Sequence, residues 1–206
     1  MNWHQRSTVL NWLTFTLAIF FLTASTLQAG EIKGKVTAQG MRSAKNIAVY
    51  VEAIPGKTFT PPSKHVVMDQ RHLEFVPHVL VVLKGTTVDF VNSDATLHNV
   101  FWPSIGGNKK LARNLGTWPQ GQHKSFTFDN LGAAPLLCNV HPEMSGYVIV
   151  VPTPYFAVTD SAGDYVIKDV PPGKYTLKTW SEEGKPATEP VDVSGASTTA
   201  NLTVKR

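Results

Sequence analysis

The segment LLCNVHPEMSG, residues 136–146, carries a cysteine, a histidine and a methionine at three-residue intervals. They are Cys138, His141 and Met144, and Cys138 is the single cysteine of the 206-residue chain, so it has no partner for an internal disulfide. Thiolate and thioether are soft metal ligands and imidazole is intermediate, a combination that favours copper over calcium or magnesium. The segment therefore predicts three ligands of one copper ion on a short loop, which Pro142 stiffens.

A fourth ligand has to come from elsewhere, because the matching geometry is two histidines and one thiolate in a plane with a distant axial methionine. The candidate is His98 in NSDATLHNVFW, at the start of a predicted strand. Other interpretations stay open at this point. Cys138 could be a small buried hydrophobe, or a nucleophile paired with His141, although no local hydrolase signature surrounds it. We expect Glu143, between two ligands, to face solvent.

Strand and turn signals fill most of the chain after residue 30. Alternating or β-branched segments separated by Gly, Pro and Asp turns predict short strands. We expect strands over 31–38, 47–53, 66–68, 78–83, 86–92, 98–102, 123–128, 135–139, 147–151, 155–159, 164–168, 174–180, 190–193 and 198–205. A short helical turn is expected near 111–114, inside the irregular segment 102–121. The fold class is therefore predicted to be all-β, in two sandwich modules.

The N-terminal segment has the layout of a secretory signal. One basic residue, Arg6, precedes an apolar run over 12–22, and small residues precede a cleavage point after Ala29. The apolar run is short for a membrane span. We expect residues 1–29 to be a cleaved signal and the mature protein to be periplasmic or otherwise exported, with no stable membrane span; an uncleaved anchor is the alternative.

The net charge of the full chain is only +4 at pH 7, and no segment concentrates it. Nucleic-acid binding would need a basic stripe with interleaved aromatics, and the sequence shows none. We therefore predict no nucleic-acid partner.

The motifs around these ligands resemble those of the cupredoxins, the blue-copper fold of plastocyanin, pseudoazurin and amicyanin. LKGTTVDFVNSDATLHNV and PQGQHKSFTFDNLGAAPLLCNVHPEMSGYVIVV carry the resemblance, which extends over 66–151. It implies a Greek-key sandwich and copper bound by His98, Cys138, His141 and Met144. It also implies that the backbone amide of Asn99 lies near the cysteine sulfur and that Asn99 ties the two ligand loops together. The segment GAAPLLC departs from the family pattern before the cysteine.

A second resemblance begins after the copper motif. YFAVTDSAGDYVIKDVPPGKYTLKTWSEEG resembles the carboxypeptidase regulatory-like, or transthyretin-like, sandwich, a smaller immunoglobulin-like β fold. That family also opens with strands like those of residues 31–54. We predict one discontinuous sandwich from 31–54 and 154–206, with the copper module of 64–152 inserted. The competing interpretation adds 31–54 to the copper module.

A four-ligand copper site leaves no open position for a substrate. We therefore predict an electron carrier and not an enzyme, with unidentified redox proteins as donor and acceptor. A copper storage or delivery protein is one alternative. The other is a carbohydrate- or protein-binding sandwich with an accessory copper site.

Overall fold

The computed structural model describes Met1 and residues 29–206. The predicted signal segment lies almost wholly outside the described residues. Within the described part of the chain, no helix is long and apolar enough to cross a membrane.

The described chain is built from β-strands, which confirms the predicted fold class. The strands are β1 (Gly30–Gln39), β2 (Ala48–Val51), β3 (Val66–Arg71), β4 (Glu74–Val76), β5 (Val79–Leu83), β6 (Thr86–Asn92), β7 (His98–Trp102), β8 (Arg113–Trp118), β9 (His123–Phe128), β10 (Gly132–Leu137), β11 (Ser145–Val151), β12 (Phe156–Val158), β13 (Asp164–Val170), β14 (Gly173–Trp180), β15 (Thr188–Val193), β16 (Ser197–Thr199) and β17 (Leu202–Lys205). A 3₁₀ turn spans Lys109–Leu111.

Strands β3 to β11 form the central sandwich. One of its sheets has the order β5-β11-β10-β7-β8 and the other the order β4-β3-β6-β9. Aromatic and aliphatic side chains fill the space between them, and Trp102 and Trp118 are each 1% exposed there. Cys138 and Met144 belong to the same buried cluster, so the predicted ligand loop closes one end of this core.

The remaining strands form the flanking sandwich, made of β1, β2 and β12–β17. β1 pairs with β13 on one side and with β16 and β17 on the other, while β2 lies between β12 and β14. Ile32 and Val49 share one buried core with Ile167 and Leu177. The first two strands therefore pack with the last six and not within the central sandwich. That this two-part sandwich is an independent folding domain stays a prediction.

The two sandwiches also pack against each other. The outward faces of β5 and β11 bury Val79, Val81 and Ile149 against Ala48, with Trp180 packed alongside. Because β2 alternates, Ala48 faces this layer while Val49 faces the flanking core. The four sheets are consequently stacked, with an apolar layer between each sheet and the next.

Two strands were not predicted from the sequence. β4 pairs with β3 as a short hairpin, and β8 pairs with β7 at the edge of its sheet. β8 lies within the segment expected to be irregular. The 3₁₀ turn begins two residues before the expected helical turn.

Candidate metal centre

The loop before β7 orients His98. Asn92, fully buried, donates its side-chain amide to the carbonyls of Thr96 (2.8 Å) and Trp118 (3.0 Å), and its Oδ1 accepts the amide of Asp94 at 2.9 Å. These bonds fix the turn that leads into the strand. His98 opens that strand and is itself 0% exposed.

The Asp94 carboxylate contacts the outer nitrogen of this histidine. Its Oδ2 lies 2.9 Å from His98 Nε2, and the carboxylate also accepts the amides of His72 at 2.7 Å and Leu73 at 3.0 Å. Burial opposes ionisation, but the amides of Leu73 and His72 and the contact with His98 outweigh it and lower the pKa of Asp94. A carboxylate at Nε2 favours a proton on that nitrogen and leaves Nδ1 free as a ligand.

The donor atoms of three predicted ligands converge. His98 Nδ1 lies 3.1 Å from His141 Nδ1 and 4.0 Å from Cys138 Sγ, and all three atoms lie within 4.8 Å of one another. A metal ion with bonds of about 2.0–2.3 Å to nitrogen and sulfur needs donors separated by such distances. Soft sulfur and imidazole donors fit copper, so the residues present fit the predicted ion.

The loop that carries the other predicted ligands is short and tight. Cys138 directly follows β10 and is 3% exposed, whereas His141 is half-buried. The amide of Met144 donates to the carbonyl of His141 at 3.0 Å, which folds the loop back on itself. Met144 is 1% exposed and packs in the central core with Cys138. Glu143 is exposed.

Asn99 connects the two segments that carry the predicted ligands. Its backbone amide donates to Cys138 Sγ at 3.4 Å, and its Oδ1 accepts the amide of Asn139 at 3.3 Å. Its side-chain nitrogen donates to Asn114 Oδ1 at 2.9 Å and to the carbonyl of Gly116 at 2.7 Å. The buried Asn99 therefore holds the sulfur, the loop after it and β8 together.

Asp94 was not predicted from the sequence to contact the site. Its only signal was the Asn-x-Asp turn four residues before His98. The other histidines among residues 29–206 lie apart from the cluster: His65, His72 and His123 are exposed, and His78 contacts Glu182 of the flanking sandwich at 3.1 Å.

The two parts of the chain match two different protein-family models. Residues 63–151 match the model of the family described as copper binding proteins, plastocyanin/azurin family. The convergent donors lie within this matched segment. Residues 63–151 are therefore similar to the cupredoxins and are called the cupredoxin domain. Residues 153–202 match a model described as polysaccharide lyase family 4, domain II. The regulatory-like resemblance of this second part stays a prediction.

Solved structures of amicyanin variants are similar to the cupredoxin domain. A reduced tryptophan-to-tyrosine mutant is 28% identical over 43% of this chain and 84% of that chain, with a TM-score of 0.39. An oxidised proline-to-alanine mutant is 27% identical over 48% and 96%, with a TM-score of 0.40. A Cu(I) form of a methionine-to-alanine mutant is 25% identical over 51% and 98%, also with a TM-score of 0.40. No curated protein matches the chain.

Proposed function

We propose that this protein is an exported blue copper protein that carries single electrons between redox partners. The proposed ligands of the copper ion are His98, Cys138, His141 and Met144. The observation that carries the proposal is the convergence of two imidazole nitrogens and the only thiol within 4.8 Å of one another. The match of residues 63–151 to a copper-binding family supports it independently.

The arrangement suits electron transfer because the protein holds the metal-binding nitrogen and sulfur atoms in place without a bound metal. Bound copper would supply a one-electron couple between Cu(I) and Cu(II). His98 is fixed by Asp94 and the sulfur by the amide of Asn99, so neither donor needs to move when the charge at the site changes. His98 and Cys138 are 0% and 3% exposed, and the protein therefore excludes water from two of its donors. Four protein ligands would leave no position for a substrate, which supports a carrier over an enzyme.

Exposed apolar residues lie next to His98 and to the half-buried His141 in the chain. Leu97, next to His98, is 50% exposed, and Val140, next to His141, is 42% exposed. Pro142 is exposed as well. Exposed apolar side chains clustered around a buried site are typical of a docking surface. We propose that the redox donor and acceptor bind here and that electrons cross at His141.

The test is the absorption spectrum of the purified protein during titration with Cu(II). One equivalent should produce an intense thiolate-to-copper band, and a chemical reductant should remove it reversibly. Cys138→Ser should bind Cu(II) without that band, and its far-UV circular dichroism spectrum should match that of the wild type. A colourless wild-type copper complex would contradict the carrier and support copper storage or delivery. Export is tested separately, by N-terminal sequencing of protein recovered from outside the cytoplasm, where a start at Gly30 is expected.

A further inference from the structure

Glu182 of the flanking sandwich bonds two residues of the cupredoxin domain. Its Oε1 accepts the hydroxyl of Tyr147 at 2.9 Å, and its Oε2 lies 3.1 Å from His78 Nε2. Burial, together with the bond to Glu182, raises the pKa of Tyr147 to about 12, so the hydroxyl stays a donor at neutral pH. The neighbouring carboxylate of Glu183 instead contacts Arg42 Nε at 2.7 Å within its own sandwich.

These bonds lie at the margin of the apolar layer between the sandwiches. The ring of Tyr147 lies 4.8 Å from that of Trp180 and 5.7 Å from that of His78, measured between centroids. Both bonds are partly exposed to solvent, and hydrogen bonds to an ionised acceptor are stronger than neutral ones. The contact therefore fixes Tyr147 and His78 relative to the flanking sandwich.

Both bonded residues are joined to the ligand loop. The amide of Tyr147 donates to the carbonyl of His78 at 2.8 Å. Tyr147 follows Met144 by three residues at the start of β11. A cleft of about 270 Å³ is lined by residues of both segments, among them His78, Glu143 and Met144.

We propose that Glu182 is a positioning residue for the metal centre, through which the flanking sandwich holds the Met144 side of the ligand loop in place. The effect of Glu182 on the ligand loop follows from contacts within the protein, whereas its effect on bound copper rests on the proposed function. The flanking sandwich is then part of the support of the site and not a loosely tethered neighbour.

The test compares Glu182→Ala with the matched control Glu183→Ala, which removes an adjacent carboxylate that makes no hydrogen bond to the cupredoxin domain. In the metal-free protein, amide hydrogen exchange of Met144 and Tyr147 should accelerate roughly tenfold in Glu182→Ala, because local opening loses two bonds to a charged group. Glu183→Ala should leave these two amides at the wild-type rate. Tyr147→Phe should show part of the acceleration, and adding it to Glu182→Ala should have little further effect, because both changes remove the same bond.

In the copper-loaded protein, Glu182→Ala should raise the reduction potential while keeping the thiolate band. A less restrained Met144 would be a weaker axial ligand of the copper ion, which favours Cu(I). Unchanged exchange in Glu182→Ala, or equal acceleration in Glu183→Ala, would overturn the inference. If the wild type forms no coloured copper complex, the proposed function fails, and the exchange measurement on the metal-free protein still decides the positioning role.

Discussion

The carboxylate of Asp94 lies 2.9 Å from Nε2 of His98, on the side of the ring opposite the donor cluster. The same carboxylate accepts two amides from the turn between β3 and β4. The orientation of the buried histidine is thus tied to a hairpin that carries none of the proposed ligands. Outer partners of metal-binding histidines set ring orientation and ligand basicity.

We predict that Asp94→Ala weakens copper binding by roughly 10- to 100-fold, the usual cost of losing such a partner. The measurement is the dissociation constant from competition with a chelator of known affinity. Asp89→Ala is the control, because that carboxylate contacts His65, which is outside the donor cluster, at 2.9 Å. Equal affinities of Asp94→Ala and wild type would show that the packing around His98 orients the ring without the carboxylate.

We predict that Met144→Gln lowers the reduction potential and keeps a coloured site. The axial ligand tunes the potential of such centres, and a harder amide oxygen favours Cu(II) over Cu(I). Protein-film voltammetry of the two proteins makes the comparison. Met68→Gln tests the specificity of the effect, although it buries an amide in the same core and needs a check of folding by circular dichroism. No change, or a rise, in Met144→Gln would argue against an axial role.

We predict that Val140→Glu slows electron exchange with a redox partner by about tenfold or more, because a charge at the centre of an apolar contact must be desolvated on docking. Stopped-flow kinetics with a partner protein measures the rate. Val166→Glu is the matched control, since Val166 is 44% exposed but lies on β13 of the flanking sandwich. Equal rates for both variants would place the docking surface elsewhere.

We predict that Asp89 stabilises the fold in a pH-dependent way. Burial disfavours its charge, but hydrogen bonds from Ser125 and His65 outweigh burial and lower the pKa of Asp89. A carboxylate with a lowered folded-state pKa contributes stability above its unfolded pKa of about 4, and this contribution is lost as pH falls through the folded-state value.

Asp89→Asn should therefore unfold about 1 kcal/mol more easily than wild type near pH 6, and this difference should be smaller near pH 3; the effect is modest because the group is partly solvated. Urea denaturation at the two pH values measures the difference. A gap that persists unchanged at pH 3 would assign the effect to packing.

We predict that residues 31–54 and 154–206, joined by a short linker, unfold cooperatively without the cupredoxin domain. β1 pairs with strands on both of its sides, so residues 155–206 alone would leave β13 separated from β16 and β17. Thermal denaturation of the joined chain and of 155–206 alone provides the measurement. A cooperative transition in 155–206 alone and none in the joined chain would disprove the discontinuous domain.

Some features could not be predicted because only distant contacts create them. The turn between β3 and β4 places His72 and Leu73 at φ values of 58° and 60°, which normally call for glycine or asparagine. Asp94 accepts both of their amides, so a tertiary bond replaces the usual turn residue. β8 was missed for a related reason. It is an edge strand with little burial, so its sequence lacks the alternation that identifies a half-buried strand.

The sequence by itself determined the strand-rich architecture, and it predicted the ligand set. Soft donors at fixed spacing carry their chemistry in the residue types, and alternation along a strand depends only on local geometry. Only the tertiary structure decided what covers the outer faces of β5 and β11. Their runs VLVVL and YVIVV are apolar on both faces, which indicates burial on both sides but not the identity of the covering element. The flanking sandwich covers these faces with Ala48 and Trp180, which are far apart in the chain. Burial of apolar surface is favourable whether the contacting residues are near or distant in the sequence.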